Sequence, residues 1–219
     1  MLIQELLLAH FPQLKASDSV AFAIKQFAEA KTHALPVVQK NVFEGLLLEA
    51  DVLDAEETQK ISILHKLLVH VQVKPTDYFA QALRLMADRH LDILPVVGEN
   101  KEWLGVVTYQ ELMPAITRYL GINEPGAIIV LEMEPSKYAL GELSRLVETN
   151  NAYITELNTY NDIASGLLIV TIKINRYEIS DVIATLQRYE YQIRYYFGEE
   201  IYKNELRDNY DHLITYLNI

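Results

Sequence analysis

His65 and His70 lie five residues apart, whereas two imidazoles that grip a zinc ion from one helical face stand at i and i+4. They read as ordinary surface or core histidines. The carboxylate pairs Glu56-Glu57 and Glu199-Glu200 are chain neighbours. Neighbours on a helix point apart, so these pairs read as solvated faces rather than as an acid and its base. The absence of cysteine removes the thiolate metal site, the Cys nucleophile and the disulfide framework. No Gly-rich phosphate loop, G-x-S-x-G elbow or H-E-x-x-H helix occurs. These residues predict a chain that does no catalysis and holds no metal and no resident cofactor.

Composition narrows the partners. The formal net charge of -11 over 219 residues disfavours a nucleic-acid backbone, which is bound by clustered Lys and Arg. Met1 to Ala9 is apolar but too short to span a bilayer and carries Glu5, so it reads as a helix docked on the body. No other stretch approaches ~18 uninterrupted apolar residues. A soluble protein without membrane contact follows, and the lack of cysteine suits a reducing, cytoplasmic setting.

The elements that must position any binding residues come from an internal repeat. Leu35-Pro36-Val37-Val38 recurs as Leu94-Pro95-Val96-Val97, a shift of 59 positions. The same shift lays Ser17-Asp18 on Thr76-Asp77. It also lays the apolar series Val20, Ala23, Ile24, Phe27, Ala28 on Phe79, Ala82, Leu83, Met86, Ala87, each with helical spacing. Asp18 and Asp77 stand where an N-cap would. A second apolar run follows in each copy, with Gly45 in one and Gly105 in the other, so the second turn is one residue longer. Ala50-Asp51-Val52-Leu53 and Gln110-Glu111-Leu112-Met113 then open a closing helix. Each unit is βαββα, and two copies are needed to bury the sheet faces.

This doubled pattern of helix, x-x-Pro-Val-Val, turn and Gly-bearing strand resembles the CBS (cystathionine β-synthase) domain pair, or Bateman module, over about residues 1 to 120. The resemblance implies clefts that bind adenine nucleotides of the AMP, ATP or S-adenosylmethionine type, and dimerisation through helices. It also implies a Ser or Thr with an Asp three residues on, whose carboxylate accepts hydrogen bonds from ribose hydroxyls. Thr108 and Glu111 keep the hydroxyl and lengthen the acid; Leu48 and Asp51 keep the acid and lose the hydroxyl. Because Glu111 still reaches a diol, the second repeat is the favoured site, against the alternative that both acids simply begin helices. His33 and Ala34 in one copy, and Asp92 and Ile93 in the other, would line the base pocket. Arg89, His90 and Arg118 are the phosphate candidates.

Asn123-Glu124-Pro125-Gly126 breaks the pattern and marks a boundary. Beyond it, strands over Ala127 to Met133, Tyr153 to Asn158, Leu167 to Ile174 and Tyr191 to Phe197 alternate with two helices. One helix carries Leu140, Leu143, Leu146 and Val147; the other carries Ile179, Val182, Ile183 and Leu186. That order, βαββαβ, is the ferredoxin-like split arrangement. It resembles an ACT domain, and the whole chain resembles acetoin-utilisation-type bacterial CBS proteins. The loop Glu134-Pro135-Ser136-Lys137-Tyr138 lacks the glycine against which ACT ligands sit, which favours a dimerising role. Residues 198–219 read as an amphipathic helix. The whole is an α+β chain: CBS repeats over 1–55 and 56–122, an ACT-like domain over 126–197, then the helix. The expected protein is a regulatory homodimer that senses a small molecule, with an adenine nucleotide as its ligand, on behalf of an unidentified partner. Its alternative is an oligomerisation scaffold with empty clefts.

Overall fold

The computed structural model describes residues 1–198; the expected C-terminal helix lies, from residue 199 on, outside the described residues. The chain divides into two compact units, Met1–Tyr119 and the part from Leu120 onward.

In the first unit the two copies share one plan. The first holds α1 (Val20–Ala30), β1 (Ala34–Gln39), β2 (Val42–Leu48) and α2 (Glu49–Val52). The second holds α3 (Phe79–Arg89), β3 (Ile93–Val97), β4 (Trp103–Thr108) and α4 (Tyr109–Tyr119). Each hairpin is antiparallel and breaks register at the same place, Val37/Val38 and Val96/Val97. On its other side β1 meets Leu14 and β3 meets Val73, each by a parallel bridge. Pro36 and Pro95 accept from the Leu14 and Val73 N–H groups at 2.8 and 2.9 Å. The return bonds come from the Val38 and Val97 N–H groups, so neither bridge needs the missing proline N–H. β1 and β3 are buried over nearly their whole length, as continuous apolar runs covered on both faces are.

The remaining edges are closed by exchange. The Leu8 and Val106 backbones pair both ways, at 2.8 and 3.1 Å, so the N-terminal segment borders β4 of the second copy. Leu46 and Val69 pair likewise at 2.9 and 2.8 Å, so the segment between the copies borders β2 of the first. Met1 to Ala9 is therefore not a docked helix. A single 3-10 turn, Ile3–Glu5, is closed by the Leu2 N–H donating to Glu5 Oε1 at 2.7 Å, and the chain then extends. Ile3 is buried beside Phe79, Ala82 and Met86, while Ile61, Leu64 and Leu68 pack with Val20, Ala23 and Phe27. Pairing removes exposed edges from both sheets.

Local chemistry departs from expectation in two places. Asp18 and Asp77 do not cap helices; each accepts from the N–H three residues earlier, Lys15 and Lys74, both at 2.8 Å. They tighten the turn before the helix, and the cap of α1 is Ser19, which accepts from the Phe22 N–H. In α1 and α3 burial follows i, i+3 and i+7, leaving Ile24, Ala28 and Ala87 on the exposed margin.

The second unit runs β5 (Ala127–Met133), α5 (Leu140–Glu148), β6 (Ile154–Asn161), β7 (Leu168–Ile174), α6 (Ser180–Arg188) and β8 (Gln192–Phe197). Its sheet is antiparallel in the order β6-β7-β5-β8, the ferredoxin-like arrangement. Alternate residues of β5 and β7, among them Ile129, Leu131, Val170 and Ile172, pack on Leu143, Leu146, Val182 and Leu186. Leu140 is half exposed and lies off that stripe. Among the described residues no helix is long and apolar enough to cross a membrane.

Candidate ligand cleft

The hairpin registers bring the chemistry to one end of the first unit. Ala34 pairs with Leu48 and Ile93 with Thr108, so the residues just outside, His33 with Glu49 and Asp92 with Tyr109, become neighbours. The Glu49 N–H donates to the His33 carbonyl at 2.9 Å, and the Tyr109 N–H to the Asp92 carbonyl at 3.3 Å. His33 and Asp92 are equivalent positions of the two copies, and they meet. The His33 N–H donates to Asp92 Oδ2 at 2.8 Å, and the His33 ring lies 2.7 Å from Glu49 Oε2. Asp92 Oδ1 is buried and has no hydrogen-bond partner. α3 ends against the same place: Arg89 closes the helix, and His90 follows in the left-handed conformation at φ 53°.

Together these residues wall a cavity of about 330 Å³, within the size range of small-molecule sites. Leu48, Ala50, Leu53 and Leu91 give it an apolar wall. Glu49 and Asp92 supply carboxylates; Arg89, His90 and His33 supply cations or donors.

His33 holds its proton more tightly than an ordinary histidine. The hydrogen bond to Glu49 is the main cause, followed by the negative charges of Asp92 and Glu49. A raised folded value means that His33 contributes stability below the ordinary value near 6.5 and loses it as pH rises through the raised one. The wild-type urea midpoint should therefore exceed that of His33→Gln by more at pH 6 than at pH 8. A gap independent of pH would detach the ion pair from stability.

The sequence candidates separate. His33, Ala34, Arg89, His90 and Asp92 line this cavity; Asp51, Ile93, Thr108, Glu111 and Arg118 do not. Ile93 is buried in the core. Thr108 Oγ1 accepts the Glu111 N–H at 3.3 Å, so that step caps the start of α4, and Glu111 is exposed in the first turn. Asp51 sits in the first turn of α2. Arg118 is in the last turn of α4. Glu49 was missed: the signal for it was its place directly after β2, opposite His33, rather than any spacing along one strand.

Residues 3–57 and 70–118 match the family model of the CBS domain. The first unit is a CBS domain pair. A solved CBS domain pair/ACT domain protein from Thermotoga maritima matches with a TM-score of 0.50 at 21% identity, over 55% of this chain and 99% of that one. The CBS domains of a transcriptional regulator from Streptococcus pneumoniae match with a TM-score of 0.47 at 22% identity, over 52% and 98%. A third, the protein CBSX2 solved in complex with AMP, matches with a TM-score of 0.46 at 19% identity, over 54% and 97%. At such identities the likeness to the Thermotoga protein speaks for the fold. In the CBS pair described above, Phe43 and Trp103, again equivalent positions, stack at 6.0 Å at the hairpin tips.

The second unit has a cavity of its own, about 480 Å³, where the 3-10 turn Pro135–Lys137 meets the starts of α5 and β8. Glu132, Glu134, Glu142 and Glu190 line it against Lys137. The Tyr191 hydroxyl donates to Glu142 at 3.1 Å, and its pKa is pushed up to about 12, first by burial and then by that carboxylate. Even with Arg194 3.9 Å from Glu132 and Lys137 3.9 Å from Glu134, the lining is acidic on balance, which disfavours a ligand that presents a carboxylate of its own.

Proposed function

We propose that this protein is a non-catalytic sensor whose CBS pair holds an adenine nucleotide in the cavity lined by His33 and Asp92. Its second unit, on this reading an ACT-like domain, joins two copies and passes on the ligand state. The observation that carries the reading is Asp92, which lines a small-molecule-sized cavity, accepts the His33 N–H through Oδ2 and keeps Oδ1 buried without a partner among the described residues. A buried acceptor left unsatisfied costs about 1–3 kcal/mol, which a ligand donor such as the adenine amine or a ribose hydroxyl would recover. The leucines of the lining suit a base, and Arg89 with His90 suits a phosphate.

Signalling follows from where the donor would land. Asp92 of one copy already holds the His33 N–H of the other, so a ligand that engages the same carboxylate favours one setting of the two copies over another. For the second unit, the acidic cavity disfavours an amino-acid carboxylate. The edge strand β8 exposes Tyr195, Tyr196 and Phe197, residues suited to association with a second copy.

Calorimetric titration of the full chain with AMP, ADP, ATP and S-adenosylmethionine tests the reading. Binding of at least one is expected, weakened about tenfold by Asp92→Ala. At a hundredfold excess over Kd the ligand should add about 2.7 kcal/mol of stability, read as a rise in melting temperature. No heat and no melting shift with any of the four would leave an oligomerisation scaffold instead.

A further inference from the structure

A second cavity of the CBS pair, about 460 Å³, shares the lining residue Arg89 with the first. It forms where residues 70–72 pass between the start of β2 and α3, with Phe43, Val71 and Leu85 as its apolar lining. Leu85 and Arg89 stand one helical turn apart, so the face of α3 that lines this cavity ends at Arg89, which also lines the first. Arg89 is thus a shared wall. His70 and Lys101 add two more cationic or protonatable groups, against the single acid Glu44. Among the described residues, none of His70, Arg89 and Lys101 has an ion-pair partner. In a chain of net charge -11 that concentration is a local exception.

Lys101, which lines this cavity, lies in the second copy's turn, one residue longer than the first's. Asn100 and Lys101 both adopt left-handed backbone, at φ 57° and 61°, which fixes the turn's path.

We propose that the CBS pair selects adenosine polyphosphates over the monophosphate. On the adenine-nucleotide reading above, the nucleoside and first phosphate occupy the first cavity with Arg89 at its wall. The outer phosphates continue past Arg89 to His70 and Lys101. Each added phosphate brings negative charge to Arg89 and Lys101, which have no ion-pair partner among the described residues, and charge-assisted bonds of this kind are about twice as strong as neutral ones.

The test is titration of the full chain with adenosine, AMP, ADP and ATP at fixed ionic strength. Affinity should rise about tenfold or more from AMP to ATP. Lys101→Glu should abolish that gain while leaving AMP within about twofold. Lys101→Asn, which suits left-handed backbone, should remove part of it in an undisturbed turn. Equal affinities for AMP and ATP, or an equal loss of both in Lys101→Glu, would overturn this selectivity and leave the sensor standing. If neither adenosine nor any nucleotide binds, both readings fall.

Discussion

Gly105→Ala should lower the stability of the CBS pair by on the order of 3 kcal/mol, one of the largest losses for adding a single methyl group to this protein. Gly105 has φ +143°, a conformation side chains avoid, and its missing Cβ would run into the Leu8 carbonyl and lie 3.0 Å from the Ala9 Cα. Those neighbours are backbone, and they belong to the segment whose pairing with β4 seals the sheet edge. To make room the segment must move, which strains two backbone hydrogen bonds and disturbs the buried Ile3. Gly141 offers the contrast. In the first turn of α5 a Cβ would meet nothing within 4 Å, so Gly141→Ala should be neutral or stabilising by about 0.5–1 kcal/mol. Urea unfolding with m held constant compares the two. Equal midpoints would mean that the Leu8 crossing does not need the glycine.

The same crossing shows what was legible in the sequence and what was not. The 59-residue shift exposes the helices and hairpins because their patterns are local: apolar residues every three or four positions, then buried runs around Pro-Val-Val. The second unit was legible for the same reason, and its βαββαβ order came out with strand ends moved by a few residues. Nothing local says that Leu8 pairs with Val106, almost a hundred residues on, or that Val69 returns to Leu46. The glycines in both second strands were the trace of it, Gly105 standing against the Leu8 and Ala9 backbone and Gly45 against the Leu68 side chain.

For the cleft, the CBS resemblance named His33 and Asp92 as residues flanking the Pro-Val-Val strands, and the fold brings these equivalent positions together on one cavity. The same resemblance also named Thr108 and Glu111, three residues apart, and in the fold that hydroxyl accepts the Glu111 N–H at the helix start. Motif spacing reads one chain segment at a time. The carboxylate that faces His33 comes from across the hairpin, and only register reveals Glu49.

Arg89→Glu should weaken ATP binding by about a hundredfold, because it removes the cation common to both cavities and puts a like charge where phosphate would lie. A hundredfold corresponds to about 2.7 kcal/mol, within the several kcal/mol that a like-charge contact costs. The substitution also sets a carboxylate in the last turn of α3, where the helix end is partly negative, so about 0.3–1 kcal/mol of stability should be lost as well. Binding is therefore measured well below the melting temperature. Arg118→Glu makes the same change of charge in the last turn of α4, away from either cavity's lining, and should leave ATP affinity within about twofold at physiological salt. The pair separates contact from overall field: if both variants weaken ATP alike, the loss comes from the chain's net charge, and Arg89 has no special place in the site.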